Sequence, residues 1–308
     1  MSAAAFIAVD WGTSNARFAL CDADGGAIEI RNGPGAAQCR GRFDAVFAEH
    51  TADWLEATPA LPAFMCGMVG SAMGWLEAPY LPCPAELDEI ADAPVTIREG
   101  VYVIPGMRCT NPLGAPDVMR GEETQLLGAR EMHESLDAGH ALLCLPGTHT
   151  KWVSLFDGVV QEFLTAPTGE VFAALCDHTV LVREPETAGK HIAADFERGL
   201  AEAAKHHGTL LHQVFQARSL RLDRQLSNDG ATSWMSGLLI GADVAGALAF
   251  FRQYPEGSPV FVVGTSGLGS RYAAALARQA RTAVEIDGET AALRGLGFAY
   301  RLRQGMSA

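Results

Sequence analysis

The sequence predicts an α/β protein built from two alike domains. Two observations carry this. The stretch "VDWGTSNARFALCDADG" (9–25) and the stretch "CLPGTHTKWVSLFDG" (144–158) follow one plan: an apolar run, Gly-Thr, small polar residues and a base, a second apolar run, then Asp and Gly. Each copy opens a set of three strands that gives way to helices and further strands. At 308 residues and 48% hydrophobic, the chain is also long enough to bury two modest cores. Two such domains facing each other would enclose a cleft, and domain interfaces are a preferred place for ligands.

The elements follow in order. "AFIAVD" reads as a short strand ending at Asp10, and "ARFALCDADGGAIEIR" as a hairpin turning at Asp24-Gly25-Gly26. Residues 43–57 have helical spacing and stop before Pro59. "PAFMCGMVGSAMGW" is a buried strand entering a Gly-rich loop, "VYVIPG" is a strand, and the turn-rich "NPLGAPD" suits a domain boundary. "EETQLLGAREMHESL" is a helix with acids in its first turn, where they complement the helix dipole. "HALLCLPG", "KWVSLFDG" and "VVQEFLTA" then repeat the three strands, and 168–254 is mostly helical. "PVFVVG" is a strand running into the Gly-rich turn and helix of "TSGLGSRYAAALARQ"; "TAVEI" is the last strand and "GETAALRGLGFAYRLR" the last helix. The expected domains are 1–117 and 118–287, with a C-terminal helix in 288–308 packing back on the first.

Composition removes several classes. A net charge of −13 argues against a nucleic-acid binder, which needs a basic surface. Seven scattered cysteines without a C-x-x-C pair read as reduced thiols and point to the cytoplasm. "MSAAAFIAVDWG" lacks the basic start of a secretory signal, and the long apolar run around "MSGLLIGADVAGALAFF" is interrupted by Asp243, so no membrane span is expected. His206, His207 and His212 read as exposed helical histidines rather than a metal site. A homodimer is compatible with all of this.

Four segments can carry chemistry. In "DWGTSN", Gly12 permits a tight turn, and Thr13, Ser14 and Asn15 add side-chain donors to backbone N–H groups, which makes an anion-binding concavity. Asp10 has the wrong charge for phosphate and the right one for Mg²⁺ held through water. In "PGTHTK", Gly147, Thr148, His149 and Thr150 repeat the theme, and Lys151 suits a phosphate as a point charge, though a solvated strand-edge lysine would look the same. "GTSGLGSRY" places Gly264, Thr265 and Ser266 after an apolar strand, where backbone can approach a ring or a phosphate. No G-x-x-x-x-G-K-[ST] is present, which disfavours a P-loop enzyme. Glu122 and Glu123 open a helix ahead of the second loop, where a carboxylate can accept a hydroxyl proton; two acids that merely complement the helix N-terminus would look alike.

Two loops of the Asp-x-Gly-Thr kind with a late Gly-rich turn resemble the sugar kinase, heat-shock ATPase and actin superfamily. Within it, "AVDWGTSNAR", "GMVGSAMGW", "APYLPCPA", "VMRGEETQLLGAR", "PGTHTKWV", "TGEVF" and "ERGLAEA" look like the 2-dehydro-3-deoxygalactonokinase family. The resemblance implies two ribonuclease-H-like (actin-like ATPase) domains around an interdomain cleft, ATP and Mg²⁺ as cofactors, and a small sugar-acid substrate. It implies transfer of phosphate to the 6-hydroxyl of 2-dehydro-3-deoxy-D-galactonate, in galactonate or galactose breakdown. By position it assigns Asp10 and Gly12–Asn15 to one phosphate loop, Gly147–Thr150 to the other and Gly264–Ser266 to the adenosine end. The base of related hexokinases is an Asp at a helix start; here that place falls on Glu122 or Glu123.

The substrate carries a carboxylate, so a cation or donor cluster should meet it. Arg17, Arg40, Arg42, Ser71 and Trp75 are the candidates, with solvated surface arginines as the plain alternative. In the expected mechanism the loops grip the phosphates, positioning and charge neutralisation supply most of the rate, and domain closure excludes water. Other functions share these loops: a kinase for another sugar acid or polyol, a phosphatase of the same superfamily, or a non-enzymatic nucleotide-gated binder.

Overall fold

The chain is described by a computed structural model covering residues 3–182, 190–205 and 208–306. It divides into two compact units: Met1–Ala141 with Val153–Phe163 and Ile286–Ala308, and Leu142–Trp152 with Leu164–Glu285.

The first unit opens with β1 (Phe6–Trp11), β2 (Asn15–Cys21) and β3 (Ala27–Pro34), an antiparallel trio where a short strand and a hairpin were expected. α1 (Phe43–Ala57) follows, then β4 (Ala63–Gly67), which pairs with β1 in parallel. β5 (Tyr80–Pro82), β6 (Ala85–Glu86), α2 (Leu87–Asp92), β7 (Val95–Arg98) and β8 (Val101–Val103) come next. The main sheet has the order β3-β2-β1-β4-β8-β7. β1 is buried on both faces because helices cover both sides of it. Trp11 packs edge-on to Phe43 of α1 with ring centroids 5.1 Å apart. On the other face Phe6 stacks on Tyr300 at 5.0 Å.

β9 (Gly106–Thr110) and β10 (Pro116–Met119) form a hairpin, and β5 joins it to make a three-stranded sheet. The "NPLGAPD" stretch is the turn of that hairpin: Asn111 and Ala115 close it by a backbone hydrogen bond, and Asn111 Oδ1 accepts the N–H of Leu113 and Ala115. The turn chemistry of that stretch therefore serves a local reversal inside the first unit, which runs on to Ala141. α3 (Glu122–Met132) lies in the same unit.

β11 (His140–Leu145), β12 (Thr150–Phe156) and β13 (Val159–Ala166) repeat the opening trio. The second unit continues with α4 (Thr168–His178), α5 (Ala193–Ala203), α6 (Leu210–Gln213), α7 (Gln216–Leu222) and α8 (Asn228–Phe250). β14 (Val260–Gly264), α9 (Ser266–Arg278), β15 (Ala283–Asp287) and α10 (Gly288–Arg303) complete the chain. The third sheet has the order β15-β14-β11-β12-β13-β6, with β14 parallel to β11.

α8 is long and apolar enough to cross a membrane, but 61% of its most apolar window is buried inside the protein. Its neighbours are α5, α7 and α9, and Gly199 and Gly237 let α5 and α8 touch backbone to backbone. It is the core helix of the second unit, as the sequence suggests. His206 and His207 lie outside the described residues, and His212 is exposed on α6. All seven cysteines are free thiols.

Candidate active site

The first loop joins β1 to β2 and is anchored by its carbonyls. Gly12 O, Thr13 O and Ser14 O accept the N–H groups of Ala36, Ala37 and Gly35 at 3.0, 3.1 and 3.2 Å. Gly35 is required for this: a Cβ there would lie 2.2 Å from the carbonyl carbon of Ser14. With the carbonyls committed to the 35–37 turn, the hydroxyls of Thr13 and Ser14 and the amide of Asn15 are exposed. That polarity suits an anion.

Asp10, at the end of β1, faces Arg17 across the β1–β2 ladder, with 3.8 Å between carboxylate and guanidinium. The Asp10 side chain is 31% exposed, and Cys66 Sγ donates to its Oδ1 at 3.8 Å. Burial of the carboxyl raises its pKa above the usual carboxylate value; Arg17 and Cys66 oppose the rise and Glu289 adds to it. Arg17 is also ion-paired with Glu289.

Glu122 and Glu123 begin α3 beside this strand end. Gly67 follows Cys66 on β4 at φ +85°, Gly121 precedes α3 at φ +108°, and a Cβ on Gly121 would stand 3.2 Å from Gly67 Cα. The two glycines thus set the helix start against the end of β4, one strand from Asp10. The two glutamates differ sharply. Glu122 is half-buried and its Oε2 accepts the Arg120 N–H at 3.0 Å. Glu123 is 0% exposed, and its Oε2 accepts the Gly121 N–H at 2.7 Å. Burial, reinforced by Glu122, pushes the Glu123 carboxyl up to about 8.

The expected substrate-binding residues have different local settings. Arg40 and Arg42 are exposed, Ser71 Oγ donates to Met68 O at 2.8 Å, and Trp75 packs against Phe47 with centroids 5.8 Å apart at the edge of the core. The sequence reading passes over Arg120. Its guanidinium stacks on Tyr80 at 4.2 Å and Nη2 donates to Ala78 O at 2.7 Å. Nη1 is buried without an acceptor, and a Cβ on Gly70 would stand 2.9 Å from it. An arginine two residues ahead of two acids in "MRGEET" reads as local charge balance, which hides it.

In the second loop Gly147 is half-buried, and Thr148 and His149 are exposed. His149 Nε2 lies 2.8 Å from Glu170 Oε2, and Thr148 O accepts the Glu170 N–H at 3.0 Å. Thr150 and Lys151 are placed differently from the expectation of exposed donors. Thr150 is fully buried with its hydroxyl 2.8 Å from that of Tyr272, and Lys151 is only 5% exposed. Both already belong to β12, whose central residues are covered on both faces. Gly264 abuts Pro146, where a Cβ would meet Pro146 Cγ at 3.2 Å, while Thr265 and Ser266 are exposed at the start of α9. Gly147, Thr168, Gly169, Arg271 and Tyr272 share the lining of a cavity of about 70 Å³. Among the described residues no cluster of three His, Cys, Asp or Glu side chains could hold a metal by itself.

The repeated hairpins and mixed sheets define an actin-like ATPase and sugar-kinase fold. The chain aligns over 98% of its length, and 98% of the other's, with the activator of the 2-hydroxyisocaproyl-CoA dehydratase from Clostridium difficile with bound ADPNP. Identity there is 9% and the TM-score 0.54, a likeness of fold alone. The family is set by sequence: residues 10–299 match the model described as 2-keto-3-deoxy-galactonokinase, and the chain belongs to that family. It is 34% identical over 297 residues to the 2-dehydro-3-deoxygalactonokinase of Escherichia coli (strain K12), covering 95% of this chain and 96% of that one. It is 37% identical over 304 residues to a protein of Rhizobium meliloti (strain 1021) named as a probable 2-dehydro-3-deoxygalactonokinase, covering 96% of each. A crystal structure from Sinorhizobium meliloti, named provisionally for the same activity, aligns with a TM-score of 0.85 at 36% identity, over 97% of this chain and 99% of the other.

Proposed function

We propose that this chain transfers phosphate from ATP to the 6-hydroxyl of 2-dehydro-3-deoxy-D-galactonate. The observation that carries this reading is the family match over residues 10–299, which takes in Asp10, both Gly-Thr loops and the α3 start. In this reading Gly12–Asn15 and Gly147–His149 supply donors to the phosphates, with Lys151 behind the second loop, and Gly264–Ser266 serve the adenosine end. The expected domain division, 1–117 and 118–287 with the last helix returning to the first, belongs to the same reading.

Asp10 fits Mg²⁺, which is held in phosphotransfer sites by one or two carboxylates, waters and substrate phosphates. Its partly exposed carboxylate at a strand end, with Arg17 as its cationic neighbour, is such a donor. When bound, the ion neutralises charge on the transferring phosphate.

Glu122 is the proton acceptor. A base must be ionised at working pH and within reach of the substrate hydroxyl. Glu123 meets neither condition, since it is fully buried and holds its proton to about pH 8. Its place is to receive the Gly121 N–H and fix the start of α3. Arg120 meets the substrate carboxylate, a task for which a planar guanidinium is suited; its Nη1, buried without an acceptor beside Gly70, has to turn outward when substrate binds. Arg17, held by Asp10 and Glu289, keeps the Asp10 carboxylate in place.

The test is a coupled kinase assay over 2-keto-3-deoxy acids that differ at one carbon. Selective ATP consumption with 2-dehydro-3-deoxy-D-galactonate is the expected result. Preference for another acid or a polyol would move the substrate assignment, and ATP hydrolysis independent of any acceptor would overturn the kinase reading.

A further inference from the structure

Asp243 is the charged residue in the middle of the apolar helix α8, and the mechanism above leaves it unused. Its carboxylate accepts three donors from three other elements. Trp152 Nε1 on β12 donates to Oδ1 at 2.9 Å, and Thr168 Oγ1 at the start of α4 and Tyr272 OH on α9 each donate to Oδ2 at 2.7 Å. Burial raises the Asp243 pKa, and the hydrogen bonds from Thr168, Tyr272 and Trp152 hold the rise back. A half-buried carboxylate satisfied by three donors is retained at a cost in desolvation, so its neighbours are the place to look for what it does.

Those neighbours frame the second Gly-Thr loop. The Tyr272 proton goes to Asp243, so the Tyr272 oxygen is left to accept from Thr150, whose hydroxyl lies 2.8 Å away. Thr150 closes the C-terminal side of the loop. On the other side, Thr168 pins the first turn of α4. Gly169, next in the chain, is pressed on the loop so closely that a Cβ would stand 2.4 Å from Gly147 O. Glu170 then donates its N–H to Thr148 O at 3.0 Å. One carboxylate thus governs both ends of the loop, while Thr148 and His149 between them stay exposed. Gly147, Thr168, Gly169 and Tyr272 also share one cavity wall.

We propose that Asp243 is a positioning residue for the nucleotide: through Thr168 and the Tyr272–Thr150 relay it fixes the Gly147–His149 loop in its phosphate-binding form. This rests on reading that loop as a phosphate loop. Asp243 touches neither substrate, and its influence falls on nucleotide affinity rather than on the sugar acid.

The experiment compares wild type, Asp243→Asn, Tyr272→Phe and the double variant. It records ATP affinity by direct titration, KM for ATP and for the sugar acid, kcat, and thermal midpoint. Asparagine keeps an oxygen for Trp152 and turns an NH₂ toward Thr168 and Tyr272, whose hydroxyls must reverse. Phenylalanine removes the relay to Thr150 together with the Tyr272 donor to Asp243, and leaves Trp152 and Thr168 on the carboxylate. Each single variant is expected to weaken ATP binding about five- to tenfold, the equivalent of one hydrogen bond's worth of positioning. KM for the sugar acid stays within twofold, and the double variant falls short of the product of the singles because both act through one relay.

ATP affinity unchanged in both single variants, or both KM values rising in proportion, would overturn the inference. Its failure is separable from that of the proposed function. If wild type binds ATP and phosphorylates no sugar acid, the substrate reading falls, and the titrations still decide the role of Asp243.

Discussion

Gly128 of α3 lies directly against Ala291 of α10: a Cβ at 128 would stand 1.7 Å from the Ala291 carbonyl oxygen. Gly295 of α10 returns the contact, with a Cβ there 2.0 Å from Thr124 O. The two helices meet backbone to backbone, and α3 carries Glu122 and Glu123 at its start. Gly128→Ala would ordinarily add about 1 kcal/mol of helix propensity. Here the methyl has backbone to displace, so the expected result is a net loss of about 1–3 kcal/mol. Gly246→Ala in α8, where nothing lies within 4 Å of the new methyl, should instead gain about 0.5–1 kcal/mol. Urea unfolding of both variants measures the contrast.

Glu123 gives stability a definite pH dependence. Its pKa is raised in the folded protein to about 8 from an ordinary 4.5, so between those values the folded state holds a proton that the unfolded state has released. The stability this contributes is fully present below pH 4.5 and is lost as pH rises toward 8. The slope from this one group is at most about 1.4 kcal/mol per pH unit. Glu123→Gln, which keeps an acceptor for the Gly121 N–H, should flatten the decline and unfold at a higher temperature than wild type at pH 8.5. Thermal scans from pH 5 to 8.5 test this. Parallel curves for the two proteins would show that the Glu123 carboxyl is not the group that titrates.

Much of this was legible because long-period patterns survive in sequence. The doubled hairpin, the 43–57 helix and the apolar α8 were each set by residues whose spacing has one reading. The short strands β5, β6, β9 and β10 were not legible. At two to five residues they have too little alternation to register, and "NPLGAPD" offers the same turn chemistry to a hairpin as to a linker. In the candidate site, sequence gave residue types and not depth. It could not separate Glu122 from Glu123, because one residue of helical rotation buries the second and leaves the first half-open. It offered Thr150 and Lys151 as loop donors, although β12 had already begun at Thr150. Asp243 drew notice only as an interruption of an apolar run, since its partners Trp152, Thr168 and Tyr272 are distant in the chain.

Arg120 tests how the carboxylate of the substrate is recognised. Nη2 and the ring stack hold the side chain on Ala78 and Tyr80, and Nη1 remains without an acceptor. Arg120→Lys retains the charge and loses the planar fork, while Arg120→Met loses both. A charge-assisted hydrogen bond is worth about 1.5–3 kcal/mol. Arg120→Met is therefore expected to raise KM for the sugar acid roughly 10- to 100-fold, with Arg120→Lys recovering only part of it. KM for ATP should hold, and a neutral polyol acceptor lacking the carboxylate should be used equally poorly by wild type and variant. A uniform fall in kcat without a change in KM would place Arg120 in the α3 start rather than on the substrate.

The choice between the two glutamates is settled by kinetics at neutral pH. Glu122 Oε2 accepts the Arg120 N–H, and a glutamine oxygen can do the same, so Glu122→Gln removes basicity while keeping that bond. A positioned base contributes about 10²–10⁴-fold. Glu122→Gln should therefore lower kcat by a factor in that range, with KM for ATP and for the sugar acid little changed. Glu123→Gln should keep most of its turnover at pH 7, because the carboxyl it replaces is largely protonated there and sealed from solvent. The reverse pattern, with Glu123→Gln silent and Glu122→Gln active at equal thermal stability, would transfer the base to Glu123 and require α3 to open its first turn during turnover.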